Sequence, residues 1–111
     1  MLGELSRQDG QEQAAIEHFS RAAKLDPAFA DAFLGLGRTL LAGGKTAEAI
    51  SPLETAVKLD PANAMSHLQL ANAYTQAGRK EDAAREFALQ KQAAEKVEQN
   101  RQQLRQNAPP Q

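Results

Sequence analysis

Apolar residues along this chain recur three and four positions apart. Phe33, Leu36 and Leu40 share one helical face, Ala49 and Leu53 a second, Leu70 and Tyr74 a third, and Ala83 and Phe87 a fourth. This is the period of amphipathic helices, and it predicts helices at about 1–8, 11–25, 30–42, 46–59, 64–77 and 80–105. The breaks carry their own chemistry. Gly10, Gly44 and Gly78 fall between paired helices, where a chain reversal favours positive φ. Pro27 and Pro61 each follow Leu-Asp and end a helix, because proline disfavours the helical conformation in the residue before it. Pro52 falls inside the fourth helix, near its start, where its missing donor predicts no more than a local bend.

The pattern repeats. Leu25-Asp26-Pro27-Ala28 returns 34 residues later as Leu59-Asp60-Pro61-Ala62. The same step joins Leu2, Leu36 and Leu70, then Ala15, Ala49 and Ala83, then Phe19, Leu53 and Phe87. Laying residues 10–29 on 44–63 gives nine identities in twenty positions. Each class has a physical role. Gly37 and Ala71 are small so that paired helices approach closely, and Ala15, Ala49 and Ala83 do the same from the second helix. Phe19, Leu53 and Phe87 are read as large side chains filling the space between pairs, so truncating Leu36 or Phe87 to alanine is expected to cost roughly 2–5 kcal/mol.

A 34-residue period with Phe33-x2-Leu36-Gly37-x2-Leu40, Ala49-x3-Leu53 and Pro61 resembles the tetratricopeptide repeat family. The third unit, His67-x2-Leu70-Ala71-x2-Tyr74 with Ala83-x3-Phe87, fits the same pattern. It departs in carrying His67 at the large aromatic position and Glu95 where a terminal proline would stand. The resemblance covers residues 1–93 and implies an all-α fold: a right-handed α-solenoid of about 2.5–3 antiparallel helix pairs. The units are expected at about 1–29, 30–63 and 64–93. The first begins partway through its first helix, which favours a fragment of a longer array. Residues 94–106 continue as a polar helix with a thin apolar stripe (Ala94, Val97, Leu104), read as a long C-terminal capping helix. Asn107-Ala108-Pro109-Pro110 ends it, leaving 107–111 as a disordered tail.

Composition narrows the function. The 111 residues carry 13 basic and 14 acidic side chains, a net charge of −1, so no field of one sign is available to draw nucleic acid or an anionic membrane. Alanine supplies much of the 41% hydrophobic content, and aromatics are only 5%, which suits packed helices rather than a sheet. There is no cysteine, hence no disulfide framework or thiolate metal site. The start carries an acid at once and no apolar run, unlike a signal peptide, and no stretch approaches a membrane span. A soluble chain is expected, with the cytoplasm favoured.

Catalysis lacks candidates. His18 is expected to face solvent and His67 to pack. Glu81 and Asp82 point in different directions on a helix and suit its N-terminal dipole. Gly43-Gly44-Lys45-Thr46 ends like a phosphate loop but lacks the first glycine and the preceding strand. No enzyme activity, metal or cofactor is expected.

What remains is a surface. By the resemblance, the first helix of each pair lines a concave face. The positions carried over are Asp31, Leu34, Arg38, Leu41 and Ala42 in the second unit, and Met65, Leu68, Asn72, Thr75 and Gln76 in the third. Residues 31, 34, 38 and 41 form one helical stripe, as do 65, 68, 72 and 75. The truncated first unit adds Glu4, Arg7 and Gln8. Such a groove suits a peptide with apolar anchors. A family subgroup grips acidic chaperone tails with basic residues, but the matching positions here include Met65 and Gln69, so that clamp is expected to be absent. The expected role is a scaffold binding a protein or peptide partner. The competing expectation is a structural solenoid segment that self-associates through its truncated first unit.

Overall fold

The computed structural model describes the backbone of residues 2–107 and the side chains of residues 10–107. Five helices follow in order: α1 (Leu2–Leu25), α2 (Ala30–Ala42), α3 (Thr46–Leu59), α4 (Ala64–Gln76) and α5 (Lys80–Gln106). Each packs against the next, and α2 also touches α4. The result is an elongated α-solenoid of 60 × 35 × 32 Å.

The turns follow from their residues. At Asp26–Phe29 and Asp60–Asn63 the fourth residue donates its backbone N–H to the aspartate carbonyl at 3.0 and 3.2 Å, with proline presetting φ at the second position. The Asn63 side chain then accepts from Met65 N at 3.0 Å and caps α4. Gly44 and Gly78 both take φ of +79°. They allow Lys45 N to reach Leu40 O at 2.9 Å and Arg79 N to reach Tyr74 O at 2.8 Å, closing α2 and α4 in the same way. Pro52 does not interrupt α3.

Gly10 corrects the sequence reading. The helices expected at 1–8 and 11–25 are one continuous helix, α1, and Gly10 lies inside it without positive φ. A half-length helix folded back would bury little apolar face, whereas running on keeps an intrahelical hydrogen bond at every residue. The structure therefore holds two complete pairs, α2–α3 and α4–α5, preceded by a single helix.

The core lies where the pairs meet: Leu34, Leu40, Ala49, Leu53, Ala56, Leu70, Ala73, Tyr74 and Ala83. Gly37 abuts Leu53 so closely that a Cβ would overlap its side chain, as the close-approach role of Gly37 requires. The three register-equivalent large residues differ. Leu53 is fully buried, Phe19 is half-buried against Gly35, and Phe87 is 39% exposed. Phe87 is thus not the filled space between pairs that the sequence suggested, because no helix among the described residues covers it.

Residues 94–106 run on from α5 without a break, as the helix expected at 80–105 does, and none of the residues 94–107 is buried. Val97 and Leu104 are 46% and 72% exposed. The extension does form one wall of a shallow cavity of about 380 Å³, with Ala93, Lys96, Val97 and Asn100 facing Pro61, Ala62 and His67. The expected tail residues 108–111 lie outside the described residues.

Candidate binding groove

A concavity of about 790 Å³ runs between α1 and α2 and reaches α4. Phe19, Leu41 and Ala42 supply its apolar surface, with Gly35 keeping the floor low beneath Phe19. Gln11, Glu12, Arg38, Thr39, Gln69 and Gln76 supply polar groups. Several of these are already engaged. Thr39 Oγ1 donates back to Gly35 O at 2.8 Å. Gln76 Oε1 accepts from Thr46 Oγ1 at 2.8 Å, tying the end of α4 to the start of α3. Glu12 pairs with Lys45 Nζ at 3.4 Å and lies against Gly43, where a Cβ would overlap its carboxylate. Arg38 is exposed and has no ion-pair partner among the described residues. Its guanidinium is the charged group in the groove with donors to spare.

The residues carried over by resemblance divide. Arg38, Leu41, Gln76 and Ala42 line this groove. Leu34 does not, because it is buried in the core; the stripe 31–34–38–41 curves inward at its second member. Asp31 is exposed at the first turn of α2. Met65, Leu68, Asn72 and Thr75 lie on α4 outside the cavity. Thr75 Oγ1 donates to Ala71 O at 2.9 Å. The side chains of Glu4, Arg7 and Gln8 lie outside the described residues. Sequence reasoning missed Gln11, Glu12 and Phe19 as one wall, since it placed a separate first helix there. The continuous α1 uncovers them.

His67 packs, as expected of the aromatic position, but by polar contacts. It is 3% exposed. Nδ1 lies 2.7 Å from Glu86 Oε2 and Nε2 lies 2.7 Å from Pro61 O. Each nitrogen faces an acceptor, and the nitrogen that carries the proton donates to the one it faces. The ring therefore pins the α3–α4 turn to α5. In the second unit the register equivalents of His67 and Glu86 are Phe33 and Pro52, both apolar, so the two positions differ together. His18 is exposed, with its ring edge-on to Phe19 at 5.5 Å between centroids.

A second polar cluster joins α3, α4 and α5. Tyr74 OH donates to Glu54 Oε2 at 2.8 Å. Arg79 stacks over the Tyr74 ring at 4.4 Å and its Nε donates to Asp82 Oδ2 at 2.8 Å. Burial, then the hydrogen bond to the Glu54 carboxylate and its negative charge, push the Tyr74 hydroxyl up to about 12. Neither cluster opens into the groove. Among the described residues no three His, Asp or Glu side chains converge as a metal site would require, and no described helix is long and apolar enough to cross a membrane.

With this geometry in view, the relatives can be compared. The family model for the tetratricopeptide repeat matches residues 1–64 and again 34–96. The chain belongs to the tetratricopeptide repeat family. The two overlapping matches are offset by roughly one repeat, as a 34-residue step requires. A crystal structure of MamA is similar over 88% of this chain, with 26% identity and a TM-score of 0.76. The chain spans 57% of that protein. The Yersinia enterocolitica type III secretion translocator chaperone SycD shares the fold over 83% of this chain and 63% of its own, at 24% identity and a TM-score of 0.72. No curated protein matches the chain.

Proposed function

We propose that this tetratricopeptide repeat chain is a non-catalytic interaction module that takes a peptide or partner protein in the groove between α1 and α2. The supporting observation is the pairing of an apolar surface, Phe19, Leu41 and Ala42, with an exposed Arg38 that has no ion-pair partner among the described residues, in one open concavity. The groove matches a segment with an apolar anchor and a nearby carboxylate, because a guanidinium holds a carboxylate through two parallel hydrogen bonds. The SycD structure, described as that of a translocator chaperone, is consistent with a partner-binding role on this fold. Selection from a displayed peptide library tests the reading. Recovered peptides should carry an acid beside an apolar residue, and Arg38→Glu should weaken them at least ten-fold, as should Leu41→Asp. Selected peptides whose affinity is indifferent to both changes would overturn it.

A second reading is self-association. It is favoured by the exposed apolar residues of α5, Phe87, Val97 and Leu104. A monomeric mass by light scattering across a wide concentration range would argue against it.

A further inference from the structure

The second half of α5 carries two complementary features on one face. Ala93, Val97, Asn100 and Leu104 recur at steps of four, three and four, the spacing of a seam between two helices. At the N-terminal end of this seam lies the cavity of about 380 Å³, with Leu89, Ala93 and Val97 of α5 on one side and Pro61 and Ala62 of the α3–α4 turn on the other. At its C-terminal end stands the exposed Leu104. A hole and a large apolar knob thus share a face, about 16 Å apart along the helix from Ala93 to Leu104.

We propose that two copies of this chain pair through this face with their α5 helices antiparallel, Leu104 of each copy seated in the cavity of the other. This pairing gives the self-association reading a geometry and depends on it. With a two-fold axis between residues 98 and 99, Leu104 of one copy meets Ala93 of the other, and Val97 meets Asn100. One patch serves both copies, as a two-fold interface requires. The α3–α4 turn, which walls the cavity, stops the second helix from sliding further and fixes the register.

Charge chooses the orientation. Lys96 and Arg101 flank the seam on opposite sides. In parallel helices each Lys96 would face Arg101 of the other copy, a contact of like charges on both sides of the seam. In the antiparallel pair Lys96 faces Gln103 and Arg101 faces Ala94, so neither cation meets another. The contact spans about 22 Å of helix from Leu89 to Leu104, and Asn100 interrupts its apolar seam. It falls short of a standard interface, so the dimer is reversible, with dissociation in the micromolar range.

Sedimentation equilibrium of the full chain over a wide concentration range reads the mass. The expected result is a monomer–dimer equilibrium, weakened roughly ten-fold or more by Leu104→Asp. Phe87→Ala should leave it unmoved, because Phe87 projects from α5 about 120° away from Ala93. Circular dichroism of Leu104→Asp should be native, since the side chain is exposed. Orientation is read separately. The chain has no cysteine, so Val97→Cys and Asn100→Cys variants carry one thiol each. Oxidised together, they should form the mixed disulfide in preference to either like pair, because only opposed positions reach bonding distance. A chain that stays monomeric at every concentration would leave this face to another protein, and would overturn both the pairing and the self-association reading. A dimer indifferent to Leu104→Asp, or a like-pair disulfide at position 97 as in parallel helices, would overturn the pairing alone.

Discussion

The second unit and the first carry the same landmark residues at the same register, nine identities in the twenty positions from Gly10 and Gly44 on, and they fold differently. Around Gly44 the chain reverses, and α2 and α3 lie side by side with Leu53 sealed beneath Gly37. Around Gly10 the chain runs straight on as one helix, leaving Phe19 beside an open groove. Glycine permits a reversal but does not impose one. The reversal needs a helix on the far side with enough apolar face to bury, and α2 has one in Leu34 and Leu40. A repeat residue thus has a meaning only together with what covers it, which is expected of a solenoid whose units touch only their neighbours.

The sharpest way to break this comparison is to truncate register-equivalent residues in covered and uncovered units. Leu53→Ala should cost roughly 3–5 kcal/mol in urea melts, because the side chain is fully buried. Phe87→Ala should cost less, about 1–2 kcal/mol, because the side chain is 39% exposed. Equal costs would mean that coverage does not govern the role of this position.

Next in size is His67→Ala. It leaves the Glu86 carboxylate and the Pro61 carbonyl without their partner and should cost roughly 1–3 kcal/mol, the range for a buried polar group left unsatisfied. His67→Gln, which restores one hydrogen bond, should recover part of the loss. If thermal melts of both variants match the native chain, the clamp between the α3–α4 turn and α5 is not structural.

A smaller effect separates the two glycines directly. Gly44→Ala forces alanine into positive φ and should destabilise by roughly 1–2 kcal/mol, while Gly10→Ala should increase helicity and stabilise the described state by about 0.5–1 kcal/mol. Circular dichroism during denaturation reads both signs. A loss of stability at position 10 equal to that at position 44 would show that the first reversal is the dominant state.

The least of these effects lies at alkaline pH. Tyr74 ionises at about 12 in the fold against about 10 when unfolded. The unfolded chain therefore loses its proton first, and stability falls as pH rises from 10 toward 12. Below pH 10 this group contributes no slope. Ultraviolet titration of the single tyrosine should show the high midpoint, and Glu54→Gln should bring it down. A midpoint near 10 in the native chain would contradict the contact.

Much of the fold was legible because its determinants are local. The Leu-Asp-Pro turns, Gly44, Gly78 and the Gly37–Leu53 approach follow from residue chemistry at fixed spacing. The groove was only partly legible. Arg38, Leu41 and Gln76 came from the family resemblance, but Leu34 turned inward because a helical stripe does not say where the neighbouring helix lies. Gln11, Glu12 and Phe19 were missed because the glycine pattern places a turn at Gly10, where the structure runs on as one helix. The polar character of His67 had a signal in Glu86, which stands at the register position that Pro52 fills in the second unit.

The central claim is that the groove between α1 and α2 is where a partner binds. Backbone amide shifts of the isotope-labelled chain, followed while a selected peptide is added, test it most directly. Perturbations should centre on Phe19, Arg38, Leu41 and Gln76 and be lost in Arg38→Glu. Perturbations centred instead on Met65 and Leu68, or on Val97 and Leu104 of α5, with the groove residues unmoved, would contradict it.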